Sequence, residues 1–215
     1  MGIVMLNGEL YGGGGKSTTR FISDVNDENY GWIQYKDENG EWVNWNYLLE
    51  TEKWLYTEGQ NLGEFSAYAG TVHGYSHSGN LFAPTVTFGE SMTITQTQFG
   101  SESSGATHGV GAGCVISKSF DLTNFSKLTL HHSTSCNDTD GGITYVKVAI
   151  VSSKASKMTA SASVTLLSAV SQTSASGDVE LDISSLKGEY YIAIDIENYL
   201  NTKPKTVISN MKLVK

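Results

Sequence analysis

The sequence predicts an all-β protein, with a C-terminal jelly-roll β-sandwich preceded by a small tryptophan-rich β region and a glycine-rich N-terminal peptide. Three observations lead to this fold class. Apolar residues alternate with polar ones at period two through much of the second half. Short runs of this kind recur between turns rich in Gly, Ser, Asn and Asp, and about eight of them fit a jelly roll. The first half contains an Asn-Gly pair between two aromatic segments, the strongest short signal for a β-hairpin.

The composition of the 215-residue chain limits the classes of function. A net charge of -8, with Lys and Arg scattered, argues against a nucleic-acid partner, because phosphate binding needs a basic patch. No apolar run is long enough for membrane insertion, and residues 1–8 do not resemble a secretory signal. Only 17% of the residues are charged, so a surface of Ser, Thr, Asn and Gly is expected, which is typical of structural or adhesive β proteins.

A hairpin is predicted over residues 32–45, around Asn39-Gly40. A two-residue loop would mix polar and apolar side chains on both faces of the hairpin. A three-residue loop ending in a left-handed Gly40 pairs Tyr35 with Val43 and gives one apolar face. We therefore prefer the three-residue loop.

In that register Trp32 and Trp42 share the opposite face with polar residues, among them Gln34, Lys36 and Asn44. A flat indole ring complements the apolar face of a pyranose, so the two tryptophans are candidate ligand-binding residues. The alternative is that they pack against the next segment or another subunit, because aromatic rings bury large areas.

The connection to the second half has little pattern. The pattern of residues 47–56 fits either a short helix or two strands, and that of residues 59–80 predicts a loop. We place the domain boundary near Pro84, which divides the chain into residues 1–84 and residues 85–215.

The second region contains eight apolar-patterned runs, and the late hairpin is the clearest of them. There Ile192, Ile194 and Ile196 are expected to face the core. Asp195 and Glu197 alternate with them and are expected on a solvated face, as is Asp182 of the preceding strand. The eight runs are residues 86–95, 114–120, 127–132, 145–151, 162–167, 179–183, 190–197 and 207–214.

Two stretches resemble galactose-binding-like (discoidin-type) jelly rolls, a fold that carbohydrate-binding modules share. They are D-I-S-S-L-K-G-E-Y-Y-I-A-I-D-I at residues 182–196 and S-F-D-L-T-N-F-S-K-L-T-L at residues 119–130. The resemblance implies a fold with many functions, of which glycan binding is one. It adds the loop residues His131, Asn137 and Asp138 as polar candidates for a ligand site.

The oxygen-rich turn at residues 137–142 has two interpretations. Jelly rolls of the resembled family often hold a structural calcium, which this turn could bind, although it lacks the closing Glu of an EF-hand. The same residues form Asx turns without any metal. Cys114 and Cys136 are likewise open to two readings, as buried reduced thiols or as one disulfide.

The opening I-V-M-L-N-G-E-L-Y-G-G-G resembles the first residues of tail, baseplate or fibre-associated proteins of phages and prophages from Gram-positive hosts. The resemblance implies a virion tail protein that contacts other tail subunits and forms a homo-oligomer, with a trimer as the first expectation. Together the two resemblances predict a non-enzymatic tail-associated protein that presents a jelly roll to a bacterial surface glycan. The alternative is a carbohydrate-binding module of a secreted or cell-surface bacterial protein.

Catalysis is not predicted. No nucleophile elbow occurs in the sequence, and the patterned strands do not single out a pair of carboxylates with the arrangement of a glycosidase. The histidines have no zinc-ligand spacing.

Overall fold

The computed structural model describes residues 4–6, 9–11, 19–24, 26–27, 29, 32–37, 39–44, 52–72, 80–98, 100–101, 109–136, 144–169, 174–199 and 202–215. All regular elements among these residues are β-strands, so the all-β prediction is confirmed. The described residues therefore contain no helix that is long and apolar enough to cross a membrane. The chain divides into two compact units, Met1–Lys53 and Trp54–Lys215.

The first unit contains an antiparallel sheet whose five strands pair in chain order. The strands are β1 (Val4–Leu6), β2 (Glu9–Tyr11), β3 (Thr19–Phe21), β4 (Ile33–Lys36) and β5 (Trp42–Asn44). Tyr35 pairs with Val43, and Gly40 has a φ of 82°, which confirms the three-residue loop. The Asp37 carboxylate accepts hydrogen bonds from the backbone N–H groups of Asn39 and Glu41 and so stabilises this turn.

The two faces of this small sheet do not divide into a buried apolar face and an exposed polar face. Ile33, on the apolar face, is 40% exposed, whereas Gln34, on the polar face, is 5% exposed. The polar face is therefore the more enclosed one at the centre of β4. A buried amide needs hydrogen-bond partners, and Gln34 has them on both neighbouring strands.

The second unit contains the remaining strands. It begins at Trp54, so the first two residues of β6 belong to the first unit. These strands are β6 (Glu52–Tyr56), β7 (Ser66–Tyr68), β8 (Thr85–Phe88), β9 (Met92–Thr95), β10 (Gly100–Ser101), β11 (Gly109–Ile116), β12 (Phe120–Asp121), β13 (Lys127–Ser135), β14 (Thr144–Val151), β15 (Ala160–Ala169), β16 (Ser174–Asp182), β17 (Glu189–Tyr199) and β18 (Lys205–Val214). The run predicted at 86–95 is thus two strands, because residues 89–91 turn the chain back.

Eight of these strands define a jelly roll. In chain order they are β9, β11, β13, β14, β15, β16, β17 and β18. One sheet is ordered β9-β18-β13-β16, which are the first, eighth, third and sixth strands. The other is ordered β11-β17-β14-β15, which are the second, seventh, fourth and fifth. This order is that of a jelly-roll sandwich, so the predicted fold of the C-terminal region is confirmed.

The main core lies between these two sheets. Ile192, Ile194 and Ile196 of β17 are fully buried there, as the alternation predicts. Leu128 of β13 and Leu213 of β18 belong to the same cluster and come from the opposite sheet. Side chains from the inner faces of both sheets therefore close one apolar layer, as expected for a sandwich.

The division between the units lies earlier than the boundary predicted near Pro84. Leu55, Tyr56 and Phe65 are buried in the main core cluster. In addition, β6 pairs with β18 and β7 pairs with β11. Residues 52–56 form a strand, which decides between the alternatives for that part of residues 47–56. The segment before Pro84 therefore contributes to the sandwich rather than linking to it.

A second layer covers the outer face of the β11-β17-β14 sheet. Val72 and Met158 pack there against Ala193, in a separate apolar cluster. The covering segments are joined to each other, since Thr71 N–H donates to Ser156 O at 3.0 Å and Met158 N–H donates to Thr71 O at 2.8 Å. This outer face is consequently buried.

Two acidic residues that were expected on a solvated face are buried instead. Asp195 and Glu197 do point away from the main core, but they are only 1% and 3% exposed. Asp182 is exposed, as expected. Cys114 also lies in the second layer and Cys136 in the main core, and both are buried and outside any disulfide. The reduced-thiol interpretation therefore holds for both cysteines.

Candidate functional site

The outer face of the β16-β13-β18 sheet presents an ordered polar surface. Along β13, exposed and buried residues alternate from Lys127 to Ser135, so every second side chain points outward. The outward residues of β16, among them Asp178 and Glu180, are likewise exposed. Hydrogen bonding along both sides of β13 fixes the spacing of these side chains on a rigid sheet.

Two cross-strand side-chain pairs organise this surface. His131 is directly opposite Asp178, and His131 Nδ1 lies 2.7 Å from Asp178 Oδ1. Lys127 Nζ donates to Glu180 Oε2 at 2.8 Å. That hydrogen bond and the negative charge of Glu180 raise the pKa of Lys127. Because all four side chains are exposed, the pairs contribute little to stability, but they hold charged groups in fixed positions.

A β-bulge in β18 adds an amide to the same face. Thr129 pairs with Lys212 while His131 pairs with Ser209, so β18 carries one extra residue at this point. Asn210 is exposed there and has a φ of 52°, a left-handed conformation that is uncommon outside glycine. Asparagine is among the non-glycine residues most often found in this conformation, and a bulge re-aims the side chain that it carries.

An aromatic ring completes the site. Strand β13 occupies one edge of β18 along its whole length, so β6 must pair along the other edge and lie beside the bulge. Trp54 of β6 is half-buried, and Lys212 Nζ lies 4.9 Å from the centroid of its ring. A hollow of about 390 Å³ results, which we call the Trp54 hollow. It is lined by Trp54, Thr129, Leu130, His131, Asp178, Val179, Glu180, Asn210 and Lys212.

The Trp54 hollow combines an aromatic ring with hydrogen-bonding side chains. The indole presents a flat apolar surface, and Asn210, Thr129 and the charged pairs present donors and acceptors around it. Positive and negative groups are both present, so the surface carries no strong excess of either sign. A neutral polar ligand is therefore well matched.

A second hollow lies on the polar face of the first unit. Its volume is about 340 Å³, and Asn29, Gln34, Trp42, Val43 and Asn44 line it. We call it the Trp42 hollow. Gln34 Nε2 donates to Asn44 Oδ1 at 2.6 Å, and Asn44 Nδ2 donates to Asn29 Oδ1 at 2.8 Å. These side chains are held in one arrangement by their own hydrogen bonds.

The predicted ligand residues fall into different places. His131 lines the Trp54 hollow and Trp42 lines the Trp42 hollow. Trp32 is half-buried just before β4, and it is not among the residues lining either hollow. Asn137 and Asp138 lie outside the described residues, as does the rest of the predicted calcium turn. The part of the chain that is described contains no cluster of three or more His, Cys, Asp or Glu side chains suited to a metal.

The buried carboxylates form no open site. Asp195 accepts a hydrogen bond from the backbone N–H of Val72 at 2.9 Å. Burial and the charge of Asp195 raise the pKa of Glu197 to about 7, an effect that Lys147 partly opposes. Asp195 is bonded to the second layer and Glu197 is buried on the same face of β17, so we assign both to the structure of the fold.

Little of the Trp54 hollow could be predicted from the sequence. Trp54 lay in a segment whose periodicity fitted both helix and strand, and the bulge at Asn210 has no signature in a single sequence. The available signal was the alternation of β16, which places Asp178 and Glu180 on one face. The pairing of β16 with β13, which brings that face to His131, required the structure.

The comparisons with known proteins show no family: no known family matches the chain, and no curated protein matches it. Among solved structures it is similar to a mutant of a family 29 carbohydrate binding module, with a TM-score of 0.41 and 14% identity over 76% of this chain and 90% of the module. It is also similar to a carbohydrate-binding module specific for non-crystalline cellulose, with a TM-score of 0.40 and 9% identity over 74% of this chain and 92% of that one. Both TM-scores are low, so the jelly-roll assignment rests on the strand order described above.

Proposed function

We propose that the protein binds a saccharide in the Trp54 hollow and does not cleave it. The observation that carries this proposal is the placement of the Trp54 ring beside the bulged Asn210 and the His131–Asp178 pair on one rigid sheet face. A volume of about 390 Å³ falls within the range of small-ligand sites, roughly 300–1,000 Å³.

The chemistry of the hollow favours a sugar over an apolar ligand. A pyranose has an apolar C–H face that stacks on an aromatic ring and hydroxyl groups that need partners at its edge. Asn210 supplies an amide with both donor and acceptor atoms, and Thr129 supplies a hydroxyl. Asp178 and Glu180 accept hydrogen bonds from sugar hydroxyls, while Lys212 donates them.

Binding without hydrolysis is favoured by the state of the two carboxylates. Asp178 and Glu180 each lie within 2.8 Å of a cationic or imidazole nitrogen. A glycosidase needs one protonated carboxylic acid beside the scissile oxygen, together with a second carboxylate. Both carboxylates are already engaged by a neighbouring side chain, so neither is free to act as that acid without breaking its pair.

For the biological setting we propose a tail-associated protein of a phage or prophage from a Gram-positive host, attached to other tail subunits. The support is the resemblance of the opening residues, and an oligomer of three copies is expected from that resemblance. Weak single-site affinity for a surface glycan would then be raised by effective concentration. Sedimentation of the full chain, followed by attachment assays on intact cells, tests this setting; a stable monomer at dilute concentration would contradict it.

A glycan array tests the binding proposal. The full chain should bind one class of oligosaccharide, and Trp54→Ala should lose that binding. Phe88→Ala is the matched control, because Phe88 is an exposed ring, 42% accessible, on the same sheet but outside the hollow. Wild-type protein that binds no saccharide on a broad array, and no isolated polymer of a Gram-positive cell wall, would overturn the proposal.

A further inference from the structure

We infer that the Trp54 hollow binds a linear, neutral oligosaccharide that lies across the strands of its sheet. About three consecutive sugar units contact the protein, one for each strand spacing that the hollow covers. The ligand class rests on the proposed function, which supplies the saccharide. The length of that saccharide and its orientation on the sheet go beyond the proposed function, and they are tested separately from it.

The hollow has two walls with a floor of backbone between them. On β13 and on β16 it is lined by three consecutive residues, of which the middle one points into the core and the outer two point outward. These triplets are Thr129, Leu130 and His131 on β13 and Asp178, Val179 and Glu180 on β16. On β18, Asn210 and Lys212 flank the buried Met211 in the same way.

The strand register aligns the walls across the sheet. Each wall takes one side chain from each of β16, β13 and β18. One wall is Glu180, Thr129 and Lys212, and the other is Asp178, His131 and the bulged Asn210. Both walls therefore run perpendicular to the strands. Trp54 of β6 extends the hollow beyond β18, where Lys212 Nζ lies 4.9 Å from its ring centroid.

The hollow is long enough for several sugar units. From β16 through β13 and β18 to β6 there are three strand spacings, which amount to roughly 14 Å. A pyranose in an extended chain advances by a distance close to one strand spacing. Successive units of a chain laid across the sheet therefore meet successive strands, whereas a single pyranose covers only about a third of this length.

Hydrogen-bonding groups are present along the whole length. Thr129 and Asn210 lie in the middle of the hollow, and the side chains of Asp178 and Glu180 at the β16 end are 90% and 64% exposed. A side chain of β13 engages one oxygen of each carboxylate, so the other oxygen keeps its acceptor capacity. A sugar stacked on Trp54 is too far from these carboxylates to contact them, but a chain that starts on the ring reaches them.

The β16 end of the hollow lies at the edge of the sheet. Among the described strands, β16 pairs only with β13. A chain that leaves the hollow past Asp178 and Glu180 therefore meets no further strand of this sheet. A segment within a longer polymer fits the hollow in the same way as a short oligosaccharide.

A chain-length series tests this inference. The full chain is titrated by calorimetry with β-1,4-linked oligomers of glucose, mannose, xylose and N-acetylglucosamine, each from one to six units. In a series that binds, affinity should rise by about threefold or more with each unit up to the third, the gain expected for a single hydrogen bond. The binding enthalpy should then stay constant from about the fourth unit, because further units lie beyond the hollow.

A variant at the β16 end locates the chain on the sheet. Glu180→Ala should weaken binding of the tetrasaccharide by about three- to tenfold, as expected for the loss of a charge-assisted contact. It should leave the affinity for the disaccharide unchanged, because a disaccharide stacked on Trp54 ends before β16. Ser176→Ala is the matched control, since Ser176 is exposed on the same face of β16 but does not line the hollow.

The outcomes separate the inference from the proposed function. A monosaccharide that binds as tightly as the tetrasaccharide, or binding by none of the four series, would overturn the inference. An equal effect of Glu180→Ala on both lengths, or none on the tetrasaccharide, would also overturn it. In each of these cases the proposed function stands if the array glycan binds and Trp54→Ala loses that binding. If folded Trp54→Ala keeps full affinity at every length, the proposed function fails as well.

Discussion

Glu197 follows Asp195 by two residues on one face of β17, and the two side chains are only 3% and 1% exposed. Asp195 accepts hydrogen bonds from the segment that covers it. Glu197 Oε2 accepts none from any described residue. Burial, together with the charge of Asp195, raises the pKa of Glu197 to about 7. Burying this second carboxylate in its ionised form is therefore energetically unfavourable.

This pair predicts a stability that falls as pH rises. The pKa of Glu197 rises from 4.5 to about 7 on folding, so the folded state binds the proton more tightly. Its contribution is complete below pH 4.5 and is lost between pH 4.5 and about pH 7. The loss amounts to at most about 3 kcal/mol, since one pKa unit corresponds to about 1.4 kcal/mol.

Urea unfolding at about pH 5 and pH 8 measures this effect. In Glu197→Gln the decrease in unfolding free energy between these pH values should be smaller than in the wild type. Glu180→Gln, which changes an exposed carboxylate, is the control and should leave the decrease unchanged. The same decrease in Glu197→Gln and wild type would show that Glu197 is ionised normally in the folded protein.

The main core should respond strongly to truncation at β17. Ile194 is fully buried between the sheets, so Ile194→Ala should lower the unfolding free energy by about 2–5 kcal/mol. Glu180→Ala, on the exposed face of β16, should lower it by less than about 0.5 kcal/mol. Equal and small effects in chemical denaturation would mean that the wrong face of β17 has been placed inward.

The second unit should fold by itself when it begins at Trp54. A fragment of residues 54–215 keeps Leu55, Tyr56 and Phe65 in the core and should unfold in one cooperative thermal transition with a near-UV signal. A fragment of residues 85–215 lacks these three side chains and should be several degrees less stable or fail to fold. Identical transitions for the two fragments would contradict the assignment of β6 and β7 to the sandwich.

Replacing Asn210 in the bulge of β18 should weaken saccharide binding without lowering the stability of the fold. Asn210 has a φ of 52°, a conformation that glycine adopts without steric cost. Asn210→Gly should therefore leave the unfolding free energy unchanged or raise it by up to about 1 kcal/mol, while removing the amide from the Trp54 hollow. Thermal unfolding and saccharide titration check the two effects. Undiminished affinity would show that the amide does not contact the ligand.

Much of the fold could be predicted from local patterns. The alternation from Ile192 to Ile196 identifies the core face of β17, and the Asn39-Gly40 pair sets the hairpin register. Both signals act over a few residues, where the side-chain period and turn chemistry determine the structure.

The remainder depends on contacts between distant segments. Period two shows that Asp195 points away from the core, but it cannot show that Thr71 and Val72 cover it from more than a hundred residues away. Trp54 meets Lys212 only because β6 pairs with β18. Because the strands that form the site are far apart in the chain, its residues form no local sequence motif.

The affinity of the full chain for the oligosaccharide selected on the array, measured by calorimetric titration, is the most direct test of binding in the Trp54 hollow. We expect Trp54→Ala to weaken binding by about tenfold or more, because a stacking ring contact worth about 1.4 kcal/mol is lost. Phe88→Ala should retain wild-type affinity, and both variants should keep the wild-type circular dichroism spectrum. A Trp54→Ala protein that is folded and binds with unchanged affinity would contradict the account.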